Sequence, residues 1–126
     1  ITAADLAARG HGGATRLLVR TGCDWRGGFP PAFRGLAPDA AAWCVAERLV
    51  LVGTDAPSVD PFDSTSLAAH RVLMAGGIAV LESLALEGVE AGPYELVALP
   101  LRLLGADASP VRAVLRPLPP GGTTAP

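Results

Sequence analysis

Three short apolar runs, Leu17-Leu18-Val19, Leu49 to Val52 and Ile78 to Leu81, constrain the fold of this chain more than any other feature. A strand with one face in water alternates apolar and polar residues. Uninterrupted apolar runs of this length, bounded by glycine or a turn, predict buried strands. The stretch Arg16 to Arg20 lies between glycines, Leu49 to Val52 stops at Gly53, and Ile78 to Leu81 leads straight into Glu82. Helical segments precede these runs. Thr2 and Asp5 form a capping-box pattern that starts a helix over Ala3 to Arg9, ended by Gly10. Pro38 and Asp39 open a second helix reaching about Glu47, the proline tolerated in the first turn and the aspartate favourable at the positive end of the dipole. A third runs from Leu67 to Ala75 and stops at Gly76-Gly77. Helix followed by buried strand points to the α/β class. Tyr94 to Leu103 and Val111 to Leu115 read as two further strands across a turn-like GADASP, and 117–126 as a disordered tail.

The 126 residues are enough for one domain or a piece of one. Half of them are apolar and 17% are charged, a composition that folds. A formal charge of −2 offers no basic surface for a row of phosphates, which argues against a nucleic-acid partner. The most apolar region, Val80 to Leu104, is broken by Glu82, Glu87, Glu90, Pro93, Glu95, Pro100 and Arg102, which argues against a membrane span. The opening ITAADLAARG lacks the basic and then apolar order of a secretory leader. Cys23 and Cys44 have no metal-finger spacing and read as separate reduced thiols, Cys44 in the core, as in a cytoplasmic protein.

Several chemistries fall away on motif grounds. Ser58 lacks the G-x-S-x-G context of a nucleophile elbow. Neither glycine-rich phosphate loop is present, and the chain has no lysine to serve one. His11, in a glycine-rich loop, is expected in solvent. His70 lies in the third helix, and past the Gly76-Gly77 stop Glu82 ends an apolar strand, where a carboxylate needs a partner or a cation. Taken alone, such a pair is more often structural than metal-binding. Trp25, Phe29 and Phe33 share one irregular loop and read either as buried packing, the favoured reading, or as an aromatic wall for a substrate ring.

Four blocks in order carry a resemblance. They are Gly53-Thr54-Asp55-Ala56-Pro57-Ser58-Val59-Asp60-Pro61, then His70 with Gly77 to Glu82, then Ala91-Gly92-Pro93-Tyr94-Glu95-Leu96-Val97-Ala98-Leu99-Pro100-Leu101, and finally Ser109 to Arg116. Together they resemble the carboxyl-terminal part of the bacterial kynurenine formamidase (arylformamidase), or cyclase-like, family of metal-dependent hydrolases. The resemblance implies an α/β fold, part of a swivelling β/β/α domain. Residues 1–116 would be the carboxyl-terminal portion of one such domain.

It implies His70 and Glu82 as metal ligands, zinc as the metal with manganese as the alternative, and Asp55, Ser58 and Asp60 as residues that orient the ligands or touch substrate. The family's H-x-G-T-H-x-D-x-P-x-H motif is absent, so the catalytic acid and base are expected outside this chain. The sequence then reads as shortened by roughly 80 to 90 residues against a typical single-domain size. The implied activity is hydrolysis of a small-molecule amide, N-formylkynurenine, to kynurenine and formate in tryptophan degradation, by a homodimer in the full-length form. Two alternatives stand beside it: the same fold acting on another cyclic or aryl amide, as in isatin hydrolase-like relatives, or an inactive fragment without the amino-terminal metal motif.

Overall fold

A computed structural model describes residues 1–24, 28–30 and 32–118; Trp25 and the tail from 119 onward lie outside the described residues. The chain divides into two compact units, Ile1–Gly88 and Val89–Pro126. The first contains helices α1 (Ala3–Arg9), α2 (Pro38–Ala46) and α3 (Ala68–Ala75), and strands β1 (Arg16–Val19), β2 (Leu51–Thr54) and β3 (Ala79–Leu81). The strands form a parallel sheet in the order β1-β2-β3, with Leu17 opposite Val52 and Val52 opposite Val80.

Local chemistry sets the helix starts. Thr2 and Asp5 close the expected capping box on α1, and Pro38 occupies the first turn of α2. Asp39 does two things there: its Oδ1 accepts from the Ala40 N–H at 2.9 Å, and its Oδ2 accepts from the Ala3 N–H at 3.1 Å, tying α1 to α2.

The strand starts differ from the sequence expectation, and one device explains both shifts. After α2 the Leu49 N–H donates to the Cys44 carbonyl at 3.0 Å and the Arg48 N–H to that of Val45 at 3.0 Å, with Arg48 at φ 57°. After α3 the Ile78 N–H reaches Leu73 at 2.9 Å and the Gly77 N–H reaches Met74 at 3.0 Å, with Gly77 at φ 71°. Both are Schellman closures, in which the residue after the left-handed one folds back onto the helix. Leu49 and Ile78 are therefore buried helix closures, and β2 and β3 begin after them. At its other end β2 runs on through Gly53 to Thr54.

The core gathers Leu6 of α1, Ala40, Ala41 and Cys44 of α2, and Ala69 and Leu73 of α3 around Val52, with Leu36, Leu49, Val59 and Ile78. Small residues on the facing sides let α2 and α3 approach closely; a Cβ on Gly76 would stand 2.5 Å from Val45 Cγ2. On the opposite face of β2, Gly53 leaves room for Leu18 and Leu84. Burial is deepest in the central strand, where Val52, Gly53 and Thr54 are buried and Leu51 is half-buried. β1 and β3 are half-buried, because each has a single neighbour in the described sheet.

His11 also departs from expectation. Its ring is 18% exposed, with Nδ1 2.7 Å from the Ala14 carbonyl, Nε2 3.2 Å from Glu47 Oε2, and its edge against Trp43.

Both cysteines are free. Burial pushes the Cys44 thiol up to about 11. Partial burial, then the charges of Asp55 and Asp24, raises that of Cys23. At about pH 8 a thiol reagent is expected to modify Cys23 slowly and Cys44 only on unfolding. Mass spectrometry of the native protein checks this, and early labelling of Cys44 would contradict its burial.

The second unit holds an antiparallel pair, β4 (Tyr94–Pro100) and β5 (Val111–Pro117), in register from Tyr94 opposite Pro117 to Pro100 opposite Val111. β4 stops short of the expected Leu103, and β5 runs past Leu115. The register gives Arg116 a partner in Glu95, and the two form an ion pair.

Candidate metal centre

In a parallel sheet every strand delivers its following loop to the same edge, and open α/β sheets bind ligands there. The loop after β2 carries Asp55, Ser58 and Asp60 on the way to α3, and Glu82 follows directly on β3. Asp60 is 1% exposed. Its Oδ1 accepts from the Ala69 N–H at 2.8 Å, and its Oδ2 accepts from the His70 N–H at 3.2 Å and lies 2.6 Å from His70 Nδ1. α3 needs these bonds, since its N-cap residue Leu67 is left-handed at φ 51° and makes no side-chain cap bond. Asp60 thus caps the helix from a distance and holds the ring that the helix presents.

The other ring nitrogen, Nε2, lies 3.2 Å from Glu82 Oε1. That oxygen accepts from the Val59 N–H at 2.7 Å, which fixes the carboxylate against the β2–α3 loop. Ser83 follows at φ 56°; its N–H donates to the Ala56 carbonyl at 2.9 Å, turning the chain back over the same loop.

This arrangement fits a cation. With Nδ1 donating to Asp60, the contact between Nε2 and the Glu82 oxygen is satisfied by a proton on that nitrogen or by a cation between the two groups. Two donors held at about 2.0–2.1 Å by one tetrahedral zinc lie roughly 3.3 Å apart, close to the observed separation. Among the described residues no group of three or more His, Cys, Asp or Glu side chains is disposed to hold a metal. Burial acts to raise the Asp60 carboxyl, but the bonds from the His70 ring and from the Ala69 and His70 amides outweigh it and leave the group below its ordinary value.

The remaining loop residues do other work. Asp55 is buried and accepts from the Thr21 N–H and hydroxyl, both at 2.7 Å, and from the Gly22 N–H at 2.9 Å, anchoring the loop that leaves β1. Ser58 Oγ accepts from the Asp60 N–H at 3.1 Å, shaping the turn that aims Asp60. Two contributors were not anticipated from sequence: the Val59 N–H and Gly35. A Cβ on Gly35 would stand 2.2 Å from the Asp60 carbonyl carbon and 2.3 Å from the Pro61 nitrogen, so the loop from β1 presses directly on the Asp60-Pro61 peptide. Phe29, expected to be buried packing, is 72% exposed and meets Phe33 and Phe62 at ring separations of 5.9 and 6.3 Å.

Residues 1–61 match the family model "Cyclase", described as "Putative cyclase". The kynurenine formamidase of Bacillus mycoides (strain KBAB4) is 48% identical over 107 residues, which is 84% of this chain and 51% of that protein. That of Maricaulis maris (strain MCS10) is 45% identical over 121 residues, 92% of this chain and 56% of that protein. A solved structure described as a potential metal-dependent hydrolase with cyclase activity superposes with a TM-score of 0.65 at 34% identity, covering 70% of this chain and 43% of that one. The chain spans about half the length of the curated relatives it matches. Over 84% and 92% of its length, respectively, the chain is similar to these two bacterial kynurenine formamidases.

Proposed function

We propose that this chain provides one part of the divalent-metal site of an amide hydrolase acting on N-formylkynurenine, with His70 and Glu82 as two of the ligands and the others contributed from outside the chain. The observation that carries the reading is the line Asp60–His70–Glu82, in which one buried carboxylate orients the imidazole and the far nitrogen faces a second carboxylate at 3.2 Å. Relatives about twice as long, named kynurenine formamidase, support the substrate and the shared site. The nitrogen and oxygen donor set suits zinc and accommodates manganese.

A cation held by such a site polarises an amide carbonyl and lowers the pKa of bound water. This chain's part is positional. Asp60 keeps the ring proton on Nδ1, so that Nε2 offers its lone pair. The Val59 N–H and the Ser83 turn hold the Glu82 carboxylate in place. The net reaction adds water across the formyl C–N bond and releases formate and the arylamine.

In the intact polypeptide that carries this chain, His70→Ala and Glu82→Gln are each expected to lower metal content and to abolish formylkynurenine hydrolysis. Elemental analysis and a formate-release assay on the same samples read both effects. Full metal occupancy and unchanged turnover in His70→Ala would falsify the proposal. A substrate panel including isatin and simple aryl formamides separates formylkynurenine from other aryl or cyclic amides.

A further inference from the structure

His11, the chain's other histidine, stands away from the candidate metal centre. The loop from α1 to β1 and the turn from α2 to β2 both feed strand starts, so they lie at the sheet edge opposite the one that carries Asp60 and Glu82. His11 belongs to the first of these segments and meets the second. Its Nδ1 lies 2.7 Å from the Ala14 carbonyl oxygen and its Nε2 3.2 Å from Glu47 Oε2. Its ring meets that of Trp43 edge-on, with centroids 5.8 Å apart and planes at 81°.

A carbonyl oxygen and a carboxylate oxygen only accept, so a proton on each ring nitrogen satisfies both partners. A neutral imidazole carries one proton and leaves a lone pair facing one of the two oxygens. The end of α2 favours the charged ring. Its last turn holds no basic residue and its cap residue is Glu47, so a cation at His11 answers both the carboxylate and the negative end of the helix dipole. The other charged side chains on the segments that meet here are Arg9 at the end of α1, Arg16 at the start of β1 and Arg48 after α2, all exposed. The turn that His11 opens has few restraints of its own. Gly12 and Gly13 are left-handed at φ 58° and 78°, and a Cβ on either would meet nothing within 4 Å. The Ala14 N–H closes that turn on the His11 carbonyl at 2.9 Å, and the Thr15 carbonyl then accepts from the Val50 N–H at 2.8 Å, next to the first rung between β1 and β2.

We infer that His11 is a proton-operated clip: the imidazolium fastens the α1–β1 turn to the carboxyl end of α2, and the neutral ring releases it. Histidine is the side chain that ordinarily changes charge between pH 5 and 8, so the clip is closed in mild acid and opens as pH rises through that range. The neutral ring keeps Nδ1–H on Ala14 and thus holds only its own turn. The clip goes beyond the proposed hydrolase reading and does not depend on it.

Residue-resolved hydrogen exchange of the intact polypeptide that carries this chain tests the clip at the Leu49 amide, whose bond to the Cys44 carbonyl at 3.0 Å closes α2. Leu49 is remote in sequence from position 11, and comparison at equal pH cancels the intrinsic exchange rate. His11→Phe keeps a ring edge for Trp43 and removes both N–H groups. In this variant Leu49 is expected to exchange about 3- to 10-fold faster than in wild type at pH 5.5, and within about twofold of it at pH 8.0. Glu47→Gln, which removes the facing charge, should reproduce most of the acid effect and give no acceleration at pH 8.0. Equal acceleration by His11→Phe at both pH values would reduce the ring to a packing contact and overturn the inference, as would no acceleration at pH 5.5. Added zinc that protects Leu49 at pH 8.0 in wild type but not in His11→Phe would put a metal ion in place of the proton, and would also overturn it.

Discussion

Asp60→Asn is expected to leave a folded protein that binds its metal about 10- to 100-fold more weakly, because the substitution inverts the histidine it supports. Asp60 accepts four hydrogen bonds, two on Oδ1, from the Ala69 N–H and more distantly the Ser64 hydroxyl, and two on Oδ2. Asparagine keeps one acceptor and introduces an NH2 group. With its oxygen toward the Ala69 amide, the NH2 confronts the His70 amide and Nδ1. Nδ1 can then only accept, so the ring proton moves to Nε2 and the lone pair facing Glu82 is lost. With the amide flipped, the NH2 confronts the Ala69 N–H and the cap of α3 is broken. Either placement costs about 1–3 kcal/mol of stability.

Asp60→Ala, which removes every acceptor, should cost about 3 kcal/mol. The pH dependence follows from the lowered pKa. The fold favours ionised Asp60, so its contribution is complete above the unfolded value of about 3.9 and is lost as pH falls through the lower folded value. Denaturation of wild type and Asp60→Asn at several pH values should therefore give a constant gap near neutrality that narrows only in acid. A gap that closes between about pH 6 and 5 would show that Asp60 is not the group responsible.

Gly35→Ala is expected to cost about 3 kcal/mol or more and to lower metal occupancy with it. The added methyl would meet the Asp60 carbonyl carbon at 2.2 Å, the Pro61 nitrogen at 2.3 Å and the Asp60 oxygen at 2.4 Å. All three are backbone atoms, so no rotamer change relieves the clash. The loop between β2 and α3 must move, and the Asp60 carboxylate moves with it. Gly53→Ala is the instructive contrast: its methyl meets only side chains, Leu18 Cδ2 at 2.4 Å and Leu84 Cδ1 at 2.9 Å, which can give way. Chemical denaturation of both variants checks the order, and a Gly35→Ala protein of wild-type stability would refute the close approach.

The sequence reveals what is local and conceals what is assembled. The starts of α1 and α2 were legible because they are set by chemistry between near neighbours, Thr2 with Asp5 and Pro38 within the first turn of α2, whereas α3 is capped by Asp60 from eight residues before its first residue. The beginnings of β2 and β3 were misread because an apolar residue that closes a helix looks like the first residue of a strand. Leu49 and Ile78 do the former. The half-exposure of β1 and β3 depends on strand order, which no single segment encodes. Within the candidate site, Asp55 and Asp60 look alike in their shared motif; only the fold sends one to the Thr21–Gly22 turn and the other to His70. Gly35 carried no sequence signal at all, since its role exists only where two loops meet.

The parallel sheet has a kinetic consequence. The antiparallel partners β4 and β5 are joined by residues 101–110, whereas each ladder of the β1-β2-β3 sheet joins segments separated by an entire helix. Loop closure over such distances costs entropy and slows pairing. Asp60 and His70 lie close enough in sequence to meet as α3 forms, but Glu82 reaches the Val59 amide only when β3 docks on β2. The candidate site is therefore completed by the same event that completes the sheet, and partly folded forms of the chain lack it.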